Sequence, residues 1–129
     1  MILVDTSVWI DHFRRGNPTL VAALEREDVL THPFVIGELA CGELKKRREV
    51  LVLLTALPAA IVASDEETLH FIERHRLMGK GIGYIDAHLL ASVALTEGAR
   101  LWSLDKRLAP FAEKRFHSTP KGSRKVAGG

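Results

Sequence analysis

A chain of 129 residues, 47% hydrophobic and 26% charged, is long enough for one domain with its own core and has the composition of a soluble globular protein. Its formal net charge of +2 suits a polyanionic partner without requiring one, and the single cysteine, Cys41, excludes an internal disulfide and any thiolate cluster for zinc or iron–sulfur. The start reaches Asp5 with no basic segment before it, unlike a signal peptide, and no apolar run is long enough to span a bilayer, so no membrane association and a reducing cytoplasm are the expectations.

Ile2-Leu3-Val4 is an all-apolar run of the kind found in buried parallel strands, and it ends in Asp5-Thr6-Ser7. Ser7 is expected to cap a helix over 8–14 with Val8, Trp9 and Phe13 on one face. Asn17-Pro18 supplies a cap and a proline at the first position of a helix over 18–27 that buries Leu20, Val21 and Leu24. Val29-Leu30 reads as a second strand. A helix over 34–41 follows, with Glu38 in its middle and Gly42 as its terminator. The basic run Lys45-Lys46-Arg47-Arg48 precedes a helix over 49–56, which Pro58 ends, and 60–63 reads as a third strand. Ser64 and Glu67 form a capping box for a helix reaching 78. The glycine-spaced loop 79–83 leads into a nearly all-apolar helix that carries Asp86 in its first turn and stops at Gly98. A fourth strand over 100–104 ends in Asp105, and a last helical piece covers 108–116. Beyond it the chain is basic and acid-free, which predicts a domain over 1–117 and a flexible basic tail over 118–129.

Short strands alternating with helices predict an α/β class with a parallel sheet, in which ligands bind outside the carboxyl ends of the strands. Asp5 and Asp105 fall at such ends, and Glu38 and Asp86 project from helices near loops. Packed together, four carboxylates repel unless a cation lies among them. Oxygen ligands without cysteine or a histidine pair favour magnesium or manganese over zinc. Such a site acidifies a water and stabilises an in-line phosphoryl displacement. Ser7 and Ser103 stand two residues from Asp5 and Asp105, placed to orient a carboxylate or a water. Singly, each acid is as readily a helix cap or a solvent-facing charge; their recurrence after apolar strands and on an apolar helix is what joins them.

The stretches Ile2 to Ser7, Ile36-Gly37-Glu38-Leu39-Ala40-Cys41-Gly42, Gly83-Tyr84-Ile85-Asp86-Ala87-His88-Leu89-Leu90-Ala91 and Leu101-Trp102-Ser103-Leu104-Asp105-Lys106-Arg107-Leu108 resemble, in this order, the motifs of PIN-domain ribonucleases, and most closely of the VapC-type toxins of type II toxin–antitoxin pairs. The resemblance covers 2–116. It implies a three-layer α/β/α sandwich with a short central parallel sheet. It implies an endoribonuclease dependent on Mg²⁺ or Mn²⁺, with Asp5, Glu38, Asp86 and Asp105 as catalytic and metal-binding acids and Asp105 acting through water. Serine at 103, where the family often has threonine, keeps the hydroxyl. A homodimer, a cognate VapB-type antitoxin whose C-terminal segment blocks the site, and a structured substrate such as transfer RNA or a ribosomal RNA loop are also implied.

Arg14, Arg15, Lys80, Lys106 and Arg107 flank these acids in sequence and are candidates for drawing in RNA. The basic run 45–48 fits a solvated turn as well as a phosphate contact. The loop 79–83 follows a helical pattern, not a strand, so it fails the context of a dinucleotide-binding loop. His88 reads as a satisfied histidine, Cys41 as a small buried hydrophobe, and Trp9, Trp102 and Phe13 as core. The competing functions are a metal-independent ribonuclease using His12 or His88, a phosphoacceptor domain lacking its usual acid pair and lysine, and a catalytically silent RNA- or partner-binding module. The leucine-rich helix over 50–57 is a plausible interface.

Overall fold

The computed structural model describes residues 1–112; the expected end of the last helix at 116 and the tail over 118–129 lie outside the described residues. In chain order the elements are β1 (Ile2–Val4), α1 (Thr6–Arg15), α2 (Pro18–Glu25), β2 (Val29–Leu30), α3 (Pro33–Ala40), α4 (Arg47–Ala56), α5 (Asp65–His75), α6 (Tyr84–Leu95), β3 (Arg100–Trp102) and α7 (Ala109–Ala112). The strands form one parallel sheet in the order β2-β1-β3, with Ile2 opposite both Val29 and Arg100. Parallel neighbours need crossover connections, and helices supply them here. β1 is the central strand and its three residues are fully covered, as its unbroken Ile-Leu-Val run requires. Leu3, Val4, Val8, Trp9, Leu20, Leu54, Leu89, Leu90 and Leu108 fill the core from both sides of the sheet, giving the α/β/α sandwich. Among the described residues no helix is long and apolar enough to cross a membrane.

Several local expectations need correction. Residues 60–63 do not form a strand. The segment touches the sheet edge through a single bridge, Thr31 to Ala59. The N–H of Ala60 reaches the Thr31 carbonyl, but those of Ile61 and Ala63 are taken by the hydroxyls of Thr96, which caps the end of α6, and of Ser92 within it. Those side chains compete with a ladder for the same donors. The strand expected over 100–104 stops at Trp102, because the amides of Leu104 and Asp105 turn to the Ser7 and Ser103 hydroxyls. Ser7 is not a cap: Asp5 occupies that position and Ser7 lies inside α1. The capping box of Ser64 and Glu67 is present, with α5 ending at His75 on a left-handed Arg76 (φ 50°). Cys41 is exposed rather than buried, at the end of α3. On α4, Leu54 is core while Val52 and Leu53 are exposed.

Candidate active site

β1 delivers Asp5 to the carboxyl edge of the sheet. Its N–H donates to the Trp102 carbonyl of β3 at 2.9 Å, so Asp5 is anchored on the very strand that leads to Asp105. The Asp5 side chain is buried, and one oxygen, Oδ2, accepts the hydroxyls of Ser7 at 2.7 Å and Ser103 at 2.8 Å. Those hydroxyl oxygens in turn accept the amides of Leu104 at 2.9 Å and Asp105 at 3.0 Å. Two backbone N–H groups thus polarise two hydroxyls toward one carboxylate oxygen, and a relay of this kind strengthens each of its bonds. The carboxylate is fixed in rotation, with Oδ1 left outside this relay.

α6 delivers Asp86 in its first turn, where Gly83 precedes the helix. Burial pushes the Asp86 carboxyl above the usual aspartate range. The charge of Asp5 pushes it further, and those of Asp105 and Glu38 add to the effect, while a backbone bond from Gly83 pulls the other way. The two helix acids and the two strand-end acids therefore share one electrostatic environment. Glu38, exposed on α3, accepts the Thr6 hydroxyl at 2.9 Å through Oε1, so a residue beside Asp5 orients it. Asp105 differs. Its Oδ1 accepts the N–H of Arg107 at 2.9 Å and faces the Arg107 guanidinium at 3.5 Å, and these hold its carboxyl below the ordinary value. It is a turn-capping, ion-paired carboxylate at the edge of the cluster.

Among the described residues no three His, Cys, Asp or Glu side chains are close enough to form a ready-made metal cage. The donor set is nonetheless all oxygen, and the mutual repulsion felt at Asp86 is what a cation between the acids relieves. Oxygen donors of this kind are the chemistry a hard divalent ion such as magnesium takes.

Of the basic candidates, Arg107 lies on the rim: its Cγ and Cδ pack over Gly81, where a Cβ would meet Cδ at 3.3 Å, and Gly81 holds φ 77°. The positive φ is what favours glycine there, while the exposed Arg107 side chain can give way. Lys106 is the residue beside Asp105, and Lys80 lies in the loop leading to Asp86. Arg14 and Arg15 are not brought to the rim. They end α1, roughly 14–15 Å along its axis from Asp5, and Arg15 is paired with Asp11 at 2.7 Å. In the basic run, Arg47 donates to the Ala40 and Gly42 carbonyls at 2.6 and 3.1 Å, closing the end of the helix that carries Glu38.

The histidines are engaged elsewhere. His12 accepts the Asn17 N–H through Nδ1 at 3.0 Å, at the α1–α2 corner. His88 is buried, with Nε2 on Asp65 at 2.9 Å and Nδ1 on the Thr68 hydroxyl at 3.2 Å. Sequence reasoning passed over Asp65, Thr6 and Tyr84, whose hydroxyl also bonds Asp65 at 2.8 Å. Only the Gly-Tyr-Ile-Asp context hinted at Tyr84. Trp9 is fully buried and Phe13 stacks on it at 5.9 Å, itself 36% exposed.

The PIN domain model matches residues 2–114. The chain is also 52% identical over 108 residues to Ribonuclease VapC32 of Mycobacterium tuberculosis, in strain CDC 1551 / Oshkosh and in strain ATCC 25618 / H37Rv alike, the match covering 84% of this chain and 87% of the relative. With the family model spanning nearly all of the described fold and a relative of that identity matched along most of its length, the chain belongs to the PIN domain family and is similar within it to VapC-type ribonucleases.

Proposed function

We propose that this protein is a Mg²⁺- or Mn²⁺-dependent endoribonuclease, acting as the toxin of a toxin–antitoxin pair on a structured RNA such as transfer or ribosomal RNA. The observation that supports the reading is the buried Asp5 carboxylate, held at the carboxyl edge of the sheet by the Ser7 and Ser103 hydroxyls on a chain that matches the PIN domain model, with the charges of Asp5, Asp105 and Glu38 felt at Asp86. In this reading Asp5, Glu38 and Asp86 hold the ion directly and Asp105 contributes through water, since Arg107 already pairs with it. When bound, the ion would lower the pKa of a water and neutralise charge building on the phosphoryl oxygens. Ser7 and Ser103 hold Asp5 in one orientation, so that a carboxylate oxygen need not reorganise as the reaction proceeds. Thr6 does the same for Glu38. Lys80, Lys106 and Arg107 offset the repulsion between the acidic rim and the RNA backbone. The name of the mycobacterial relative supports the ribonuclease class and, with it, a VapB-type antitoxin as partner; a homodimer belongs to the same reading, as does a cytoplasmic location.

The test is cleavage of total RNA in Mg²⁺ or Mn²⁺, in EDTA, and by Asp5→Asn, with the ends mapped. The expected result is discrete cuts leaving 5′-phosphates and 3′-hydroxyls, abolished by EDTA and lowered about a hundredfold or more by the substitution. Cuts that persist in EDTA and leave cyclic phosphates would refute the metal mechanism.

A further inference from the structure

We propose that Tyr84 is a stacking platform for an unpaired nucleobase at the start of the helix that carries Asp86, a reading that rests on the rim being a ribonuclease site. Tyr84 opens α6, two residues before Asp86 and so on a different face of the helix, and is 44% exposed. An exposed aromatic at a helix start is ordinarily free to turn. This one is held at its tip and along its ring. Its hydroxyl donates to Asp65 Oδ1 at 2.8 Å, and its ring stands at 85° to that of His88 with centroids 4.8 Å apart. His88 is itself immobilised: Nε2 bonds the same Asp65 oxygen, Nδ1 meets Thr68, and Phe34 packs on its ring at 4.7 Å and 75°.

Phe34 lies on α3 one turn before Glu38 and so on the same face. The aromatic cluster therefore bridges the starts of the two helices that carry Glu38 and Asp86. Neighbouring Ile85 and Leu104, at 37% and 48% exposure, add apolar surface next to Asp86 and Asp105. This surface has a chemical use. Basic rim residues offset the repulsion between the acids and a polyanion but read only the backbone, so a contact that holds a base adds what charge does not supply. Base stacking on an aromatic ring is such a contact, tolerant of sequence and available only where bases are unpaired. A ring already fixed loses no further rotamer freedom when a base settles on it. Asp65 is then a positioning residue that sets the ring's angle.

The test uses the Asp5→Asn protein, so that RNA is bound but not cut, and a short single-stranded oligoribonucleotide carrying 2-aminopurine. Stacking on Tyr84 is expected to quench the fluorescent base, and Tyr84→Ala to weaken binding about tenfold or more with no change in salt dependence. Tyr84→Phe loses the Asp65 bond and keeps the ring, so binding is expected to stay within about threefold. Should Tyr84→Ala fold poorly by circular dichroism, Tyr84→Leu serves in its place, with Tyr84→Phe as the folded reference. Unchanged binding and quenching in Tyr84→Ala or Tyr84→Leu would overturn the proposal, as would Tyr84→Phe failing as badly as Tyr84→Ala, since Tyr84 would then be only a tie to Asp65. Cleavage by the parent with undiminished kcat/KM in Tyr84→Ala would sink the stacking role and leave the nuclease. Tyr84-dependent quenching with no cleavage in Mg²⁺ or Mn²⁺ would leave the stacking role and sink the nuclease.

Discussion

Ser7 and Ser103 show how much depends on single oxygens. Each hydroxyl donates to Asp5 and accepts a backbone amide, so removing either leaves a carboxylate less anchored and an N–H in need of water. Hydrogen bonds to a charged group are worth about 1.5–3 kcal/mol, and a loss of that size from transition-state stabilisation means about a tenfold to hundredfold fall in kcat/KM. Ser103→Ala is expected to show it, with Ser103→Thr restoring most of the activity in the same assay. The spacing of Ser7 and Ser103 from the two acids was legible in the sequence. That both would aim at one oxygen of Asp5 was not, because it depends on β1 and β3 being neighbours. Asp105 stood out in the sequence because an acid follows an apolar run there, but its commitment to Arg107 follows from the turn after β3, which short-range pattern does not reveal.

At the scale of elements, His32 joins α3 to α6. The Phe34 N–H donates to Nδ1, so the neutral ring carries its proton on Nε2, facing the Ser92 hydroxyl at 3.0 Å. Burial, and then the charge of His88, lower its pKa from 6.5 to about 4. The unfolded chain binds this proton below pH 6.5 and the native state only near pH 4, so the native state loses stability as pH falls through that interval. The loss is on the order of 3 kcal/mol at full extent. Urea melts at pH 7 and pH 4.5 are expected to show it, with a shallower pH slope in His32→Gln. Arg47 joins α3 to α4 by binding the Ala40 and Gly42 carbonyls. Arg47→Ala is expected to lower stability by about 1 kcal/mol. Lys45→Ala and Lys46→Ala should leave the melting curve in place. Helices were readable here wherever a cap was local, as with Asn17 and the box of Ser64 and Glu67. The false strand at 60–63 arose because its apolar run matches a buried strand, while the hydroxyls that claim its amides come from α6 and the residue that caps its end, about thirty residues later.

For the whole molecule, parallel pairing of the first and last strands sets acid against acid. Asp86 binds its proton more tightly in the native state than in the unfolded chain, so this term weakens the fold as pH rises through its raised value, opposite in sign to the His32 effect. Asp86→Asn is therefore expected to melt at a higher temperature than the parent at pH 7 in EDTA. Divalent ions should reverse the order. A cation at a hundred times its Kd raises the parent's stability by about 2.7 kcal/mol, and the variant should gain much less. Differential scanning calorimetry with and without Mn²⁺ would decide it; a parent unmoved by the ion would count against the acids as its ligands.

The bond from Ser103 to Asp5 spans 98 positions of chain. A ribosome making this protein therefore exposes Asp5, Glu38 and Asp86 in turn while the strand that completes their setting has not yet been synthesised. A nascent chain that has passed Asp86 but not reached β3 has these three acids and Ser7, but lacks Ser103, the second hydroxyl that orients Asp5. The relay closes only when β3 docks beside β1, so Asp5 takes its fixed orientation late in translation.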